Sequence, residues 1–163
     1  MLTYAAEGIS VIGMVYVYRL AARMGKEDLD LYIIVRRTVA FIYPLLLFGA
    51  VVGVTRFVAL CKEASTQRRY LLASLSWIIP LALLTVLVSA LIPGVLAEWI
   101  FGTKDARDLV MPVGIMVAGF TLYAIGYAFL RGKGRSLTAN LVQVGALAAI
   151  PLCSFLVFTD LIT

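Results

Sequence analysis

The sequence predicts an all-α, polytopic membrane protein with about five transmembrane helices, on three observations. Hydrophobic residues make up 63% of the 163-residue chain and charged residues only 14%, whereas a soluble domain is nearer half apolar and a quarter charged. The mean hydropathy is +1.01. The apolar residues gather into long continuous runs, joined by short charged links. Lipid offers no partner to a bare backbone amide, so only helices and closed barrels cross it, and runs of this length suit helices.

The first run covers about residues 2–22 and ends in Arg19-Leu20-Ala21-Ala22-Arg23. No basic segment or small-residue cleavage site accompanies it, so it is expected to stay as a membrane helix. The polar link Lys26-Glu27-Asp28-Leu29-Asp30 leads to the second run, about 32–60, in which Thr38 to Thr55 carries no charge. The third run is about 71–100, the fourth 109–130 and the fifth 137–162. Links at Lys62–Arg69, Gly102–Asp108 and Arg131–Ser136 separate them. No low-complexity linker divides the chain, so a single transmembrane domain over 1–163 is expected. Pro44, Pro80, Pro93, Pro112 and Pro151 fall inside runs. Each removes a helical hydrogen bond, and a bend or plain packing is expected there.

The net charge of +5 sits in the links. Anionic headgroups and cytoplasmic loops account for it, and no nucleic-acid motif is present. Topology is nearly balanced. With the N-terminus inside, the cytoplasmic links hold Arg56, Lys62, Arg68, Arg69, Arg131, Lys133 and Arg135, against Arg19, Arg23, Lys26, Arg36, Arg37, Lys104 and Arg107 outside. The acids Glu27, Asp28, Asp30, Glu98, Asp105, Asp108 and Asp160 all fall on the second side. A cytoplasmic N-terminus and an outer C-terminus are therefore expected.

The chemistry-bearing residues are few. There is no histidine, which removes the commonest metal ligand and acid–base group. Cys61 and Cys153 border or sit in apolar runs and read as small buried hydrophobes. No nucleophile is paired with a base and no metal cluster or cofactor motif is present, so the reading is no enzyme and no cofactor. Arg131-Gly132-Lys133-Gly134-Arg135 lacks P-loop spacing. Thr121, Tyr123, Asn140, Gln143, Ser74 and Ser76 read as hydrogen-bonding glue between helices. Trp77, Trp99, Tyr70 and Phe101 read as interfacial anchors. Glu7 is an acid well inside an apolar run, where burial raises a carboxyl's pKa; it is either an ion-coupling group or an interfacial residue.

The four arginines around the first link stand out. An unpaired cation in lipid costs from about 2.5 kcal/mol upward. Arg19 and Arg23 are one helical turn apart, and Arg36 and Arg37 open the return. Guanidinium groups present a fork that fits phosphate, so a cationic site for a pyrophosphate headgroup is expected. Snorkelling into anionic lipid is the rival reading.

The segment Tyr18-Arg19-Leu20-Ala21-Ala22-Arg23-Met24-Gly25-Lys26-Glu27-Asp28-Leu29-Asp30-Leu31-Tyr32 resembles the first hinge of polysaccharide-biosynthesis, lipid-linked oligosaccharide flippases. These belong to the multidrug/oligosaccharidyl-lipid/polysaccharide exporter superfamily. Asp30 stands where that pattern often has glycine. Gly53-Val54-Thr55-Arg56-Phe57-Val58-Ala59 is similar to the family's second-helix end, and Ile92-Pro93 with Ile100-Phe101-Gly102 to the close of its third. Leu130-Arg131-Gly132-Lys133-Gly134-Arg135 through Asn140-Leu141 looks like its turn into helix five. The resemblance implies the N-terminal portion of a MATE-like lobe in the bacterial inner membrane. Its substrate would be an undecaprenyl-diphosphate-linked oligosaccharide, with Arg19, Arg23, Arg36 and Arg37 lining a basic cavity. Family members have about a dozen helices, so five imply a fragment, or a second lobe or copy to complete the cavity. A proton- or sodium-coupled multidrug exporter and a non-transporting membrane scaffold are the rival functions.

Overall fold

The computed structural model describes residues 2–149, and every element in that range is helical. They are α1 (Leu2–Met24), α2 (Lys26–Leu47), α3 (Ala50–Leu60), α4 (Ala64–Leu91), α5 (Pro93–Phe101), a 3-10 turn (Lys104–Ala106), α6 (Arg107–Gly132), α7 (Ser136–Val144) and a π-helical turn (Gly145–Ala149). The chain divides into two compact units. One holds residues 1–33 and 134–163, the other residues 34–133.

The expected boundaries change at four places. The charged link at 26–30 is helical: only Gly25 interrupts α1 and α2, with φ 137°. The second run is two helices, bent by 52°. The break lies at Phe48 and Gly49 (φ 44° and 76°), four residues beyond Pro44, and α2 runs through the proline. Gly49 takes a left-handed conformation that a side chain disfavours, and its carbonyl accepts the Val52 and Gly53 amides to start α3. The third run begins seven residues early, at Ala64, and breaks at Ile92, where Pro93 takes the first position of α5. Proline is well suited to a helix start and disfavours helix in the residue before it. The fifth run is α7 with the π-helical turn as far as residue 149; its remainder, with Pro151, Cys153 and Asp160, lies outside the described residues.

In the larger unit α6 is central. It packs on α4, α3 and α5. Leu47, Val54, Val58, Ile78, Ala124, Ile125 and Ala128 form one buried cluster, and Val39, Val113 and Val117 another. The buried positions of α6 are mostly small: Gly114, Ala118, Thr121, Ala124, Ala128 and Gly132. Small residues let helix backbones approach closely, which is how helices associate where lipid removes the hydrophobic drive. A Cβ built on Gly114 would strike the Ser89 side chain, and one on Gly132 the Val58 side chain and the Thr55 carbonyl. In the smaller unit α1 packs on α7 and the π-helical turn, burying Val17 and Ala139.

Two stretches, Ala64–Leu91 and Lys104–Gly132, are long and apolar enough to cross a membrane. The bent pair Leu29–Leu47 with Ala50–Leu60 makes a third if it counts as one broken span. At 28 residues, α4 is about 42 Å long, more than the roughly 30 Å hydrocarbon core. Only 11% of its apolar stretch is buried. Trp77, Leu83, Leu84, Leu87 and Leu91 stand exposed along it, a face that fits lipid and not water.

Candidate functional site

The four arginines fall in both units. Arg19 is exposed near the C-terminal end of α1, in the smaller unit; Arg23 follows one turn later, its side chain outside the described set, as is that of Glu7. Beside Arg19, the Tyr18 ring meets Tyr32 of α2 edge-on, centroids 5.6 Å apart. Arg36 and Arg37 belong to the larger unit. The structure therefore describes the two pairs separately.

Arg36 and Arg37 are neighbours in sequence and differ in setting. Arg36 leads the side of α2 that carries buried Val39 and half-buried Tyr43, three and seven residues on, and it is itself half-buried and engaged. Arg37 is exposed and leads a stripe of exposed apolar residues, Phe41, Leu45 and Phe48. Spacing alone does not separate these roles. The first stands on the side of α2 that packs into the Val39, Val113 and Val117 cluster, the second at the head of a lipid-like face, where a long cationic side chain snorkels.

An aromatic ladder along α6 was not evident among the expected site residues. Tyr43 lies 5.8 Å from Phe120, Phe120 6.4 Å from Tyr123, and Tyr123 5.9 Å from Tyr127, centroid to centroid. The Arg131 guanidinium closes the ladder, 5.7 Å from the centre of the Tyr127 ring. Positions 120, 123, 127 and 131 repeat at helical spacing, the signal that finds it. Half-buried ring faces next to a cation offer stacking and cation–π contacts to a ligand or a neighbouring helix.

The expected interhelical glue is placed differently. The Thr121, Ser74 and Ser76 hydroxyls donate to carbonyls of their own helices, those of Val117, Tyr70 and Ala73. Asn140 is buried and, like Gln143, is engaged. A hydroxyl that does reach another helix is that of Thr55, 2.8 Å from the Val51 carbonyl and 3.2 Å from Ala128 O on α6. Gln67 bridges α4 to the end of α3, donating its amide to the Cys61 and Val58 carbonyls at 2.7 and 3.2 Å.

Cys61 is a free, half-buried thiol. Among the described residues, no three His, Cys, Asp or Glu side chains come together as metal ligands. No family model matches the chain, and neither a curated protein nor a solved structure is significantly similar to it.

Proposed function

We propose that the chain is part of a membrane transporter that flips an undecaprenyl-diphosphate-linked oligosaccharide, with guanidinium groups meeting the diphosphate. In this reading the two or three membrane-competent helices belong to about five spans of a MATE-like lobe in a bacterial inner membrane. A second lobe or another copy completes the passage. Arg36 carries the reading: a half-buried arginine on the side of α2 that packs into the Val39, Val113 and Val117 cluster keeps a cation close to apolar surroundings, and a guanidinium suits a diphosphate. Arg37 serves the same headgroup, Arg19 and Arg23 of the smaller unit are further candidates for phosphate contact, and the rings of the α6 ladder suit sugar faces. Glu7 is the weaker candidate for ion coupling.

A scaffold without substrate is the second reading. It is favoured by the close crossings at Gly114 and Gly132, which suit a rigid bundle.

Equilibrium binding of a radiolabelled polyprenyl diphosphate to the full chain in detergent separates the two. Loss of a charge-assisted hydrogen bond is worth about 1.5–3 kcal/mol, so Arg36→Gln is expected to weaken binding by roughly ten-fold or more with the melting temperature kept. Absence of binding to a folded chain, or binding indifferent to all four arginines, leaves the scaffold.

A further inference from the structure

The ends of the larger unit differ in charge, and helix contacts show which links share an end. The Thr55 hydroxyl reaches Ala128 O, Val58 abuts Gly132, and Gln67 caps Val58 and Cys61. These contacts bring the end of α3, the start of α4 and the end of α6 together. Arg56, Lys62, Arg68, Arg69, Arg131 and Lys133 therefore share one end, all exposed, and none is ion-paired among the described residues. The lone acid there, Glu63, accepts hydrogen bonds from Ser65 and Thr66.

The opposite end is mixed. Glu98 lies 3.5 Å from Lys104, and Asp108 lies 3.7 Å from Arg107. Asp105 is close by on the 3-10 turn, and Arg36 and Arg37 lie midway along α2, next to Val35, which packs in the same cluster as Phe101.

Aromatic rings lie just inside the basic end. Phe57 and Tyr70 stack at 5.5 Å, Tyr127 lies under Arg131, and Phe129 is 5.2 Å from the Lys133 ammonium. A ring of aromatics under a ring of cations matches a membrane interface whose headgroups are negative.

We infer that this end of the larger unit is a docking surface for anionic phospholipid headgroups and sets the unit's orientation, basic end toward the anionic leaflet. The inference rests on the membrane reading above; Arg36 and Arg37, which carry the diphosphate reading within this unit, lie toward its other end. Grouping the links by helix contacts distinguishes the two ends by charge, which the balanced count of basic links does not. Within this unit, six cations and one acid face four cations and three acids.

The test uses the full chain in phosphatidylcholine vesicles, with spin-labelled phosphatidylglycerol or phosphatidylcholine as probe of the lipid shell. Co-flotation with vesicles of phosphatidylcholine alone checks the membrane reading separately. The expected result is at least about two-fold enrichment of phosphatidylglycerol at the protein, weakening in molar salt as the Debye length shrinks to about 3 Å. Arg56→Gln, Lys62→Gln, Arg68→Gln and Arg69→Gln together abolish the enrichment, and Lys104→Gln with Arg107→Gln leaves it. Should the four-site variant not fold, Arg68→Gln with Arg69→Gln reads out as a partial loss. Equal association of both lipids overturns the inference, as does enrichment that survives in the basic-end variants. Displacement by inorganic pyrophosphate at matched ionic strength also overturns it, assigning the patch to a soluble anion.

Discussion

Gly132 of α6 and Val58 of α3 are so close that a Cβ added to the glycine would sit 2.8 Å from the valine Cβ and 2.9 Å from the Thr55 carbonyl oxygen. Backbone on one side and a β-branched side chain on the other leave nothing that yields easily. Gly132→Ala is expected to destabilise the bundle by about 1–3 kcal/mol through overpacking, read as a lower melting temperature in detergent. Gly119→Ala is the control: its added Cβ meets nothing within 4 Å, and no loss is expected.

Gly114 repeats the arrangement against Ser89, but here the obstacle is a side chain. Gly114→Ala should destabilise α4 against α6, and Ser89→Gly in the same chain should recover part of the loss. A double-mutant cycle measures the coupling. Strict additivity of the two changes would mean that the helices do not cross there.

Thr55→Val removes the hydroxyl that crosses from α3 to Ala128 of α6 and keeps the shape. The expected cost is about 0.6 kcal/mol, the average for such bonds in membrane bundles. Thr121→Val breaks a bond within α6 alone and should cost less. Melting of the two variants in one detergent is the comparison.

How much of this was readable beforehand depends on the element. α6 is bounded in the sequence by Asp108 and Lys133, so its apolar run and the helix nearly coincide. The start of α4 is hidden, because Ser65, Thr66, Gln67, Arg68 and Arg69 are helical yet polar, and hydropathy reads only the part that suits lipid. Pro44 drew attention as a bend, yet the chain bends at Phe48–Gly49; a left-handed phenylalanine has no sequence signature. The spacing of Arg36 and Arg37 was plain, but their different surroundings depend on which face of α2 meets Val113 and Val117. Thr55 looked like any threonine in a run until α6 was beside it.

Glu63 titrates with a readable sign. Hydrogen bonds from Ser65, the larger effect, and Thr66 hold its carboxyl below the ordinary 4.5. A depressed folded value means that the stabilisation is present above the unfolded value and is lost as pH falls through the folded one. Amide exchange at Ser65 to Gln67 should therefore speed up as pH drops below about 4.5, beyond the intrinsic change. Glu63→Gln should abolish that pH dependence.

Gly49→Ala forces a side chain into a left-handed backbone of φ 76°, at an expected cost of about 1–2 kcal/mol. The α2–α3 bend should then straighten or the chain lose stability, measured as a changed spin-label distance between positions 41 and 57.

The guanidinium–diphosphate account is tested most directly by flipping in vesicles that hold the full chain with any second copy it recruits. A dye-labelled polyprenyl-diphosphate sugar is placed in both leaflets, and dithionite bleaches the label that reaches the outside. The account predicts that the chain speeds bleaching of the inner pool, and that Arg19→Gln with Arg36→Gln returns the rate to that of protein-free vesicles while helicity is retained. Bleaching no faster than in empty vesicles with the chain inserted, or equally fast in the arginine variants, contradicts it.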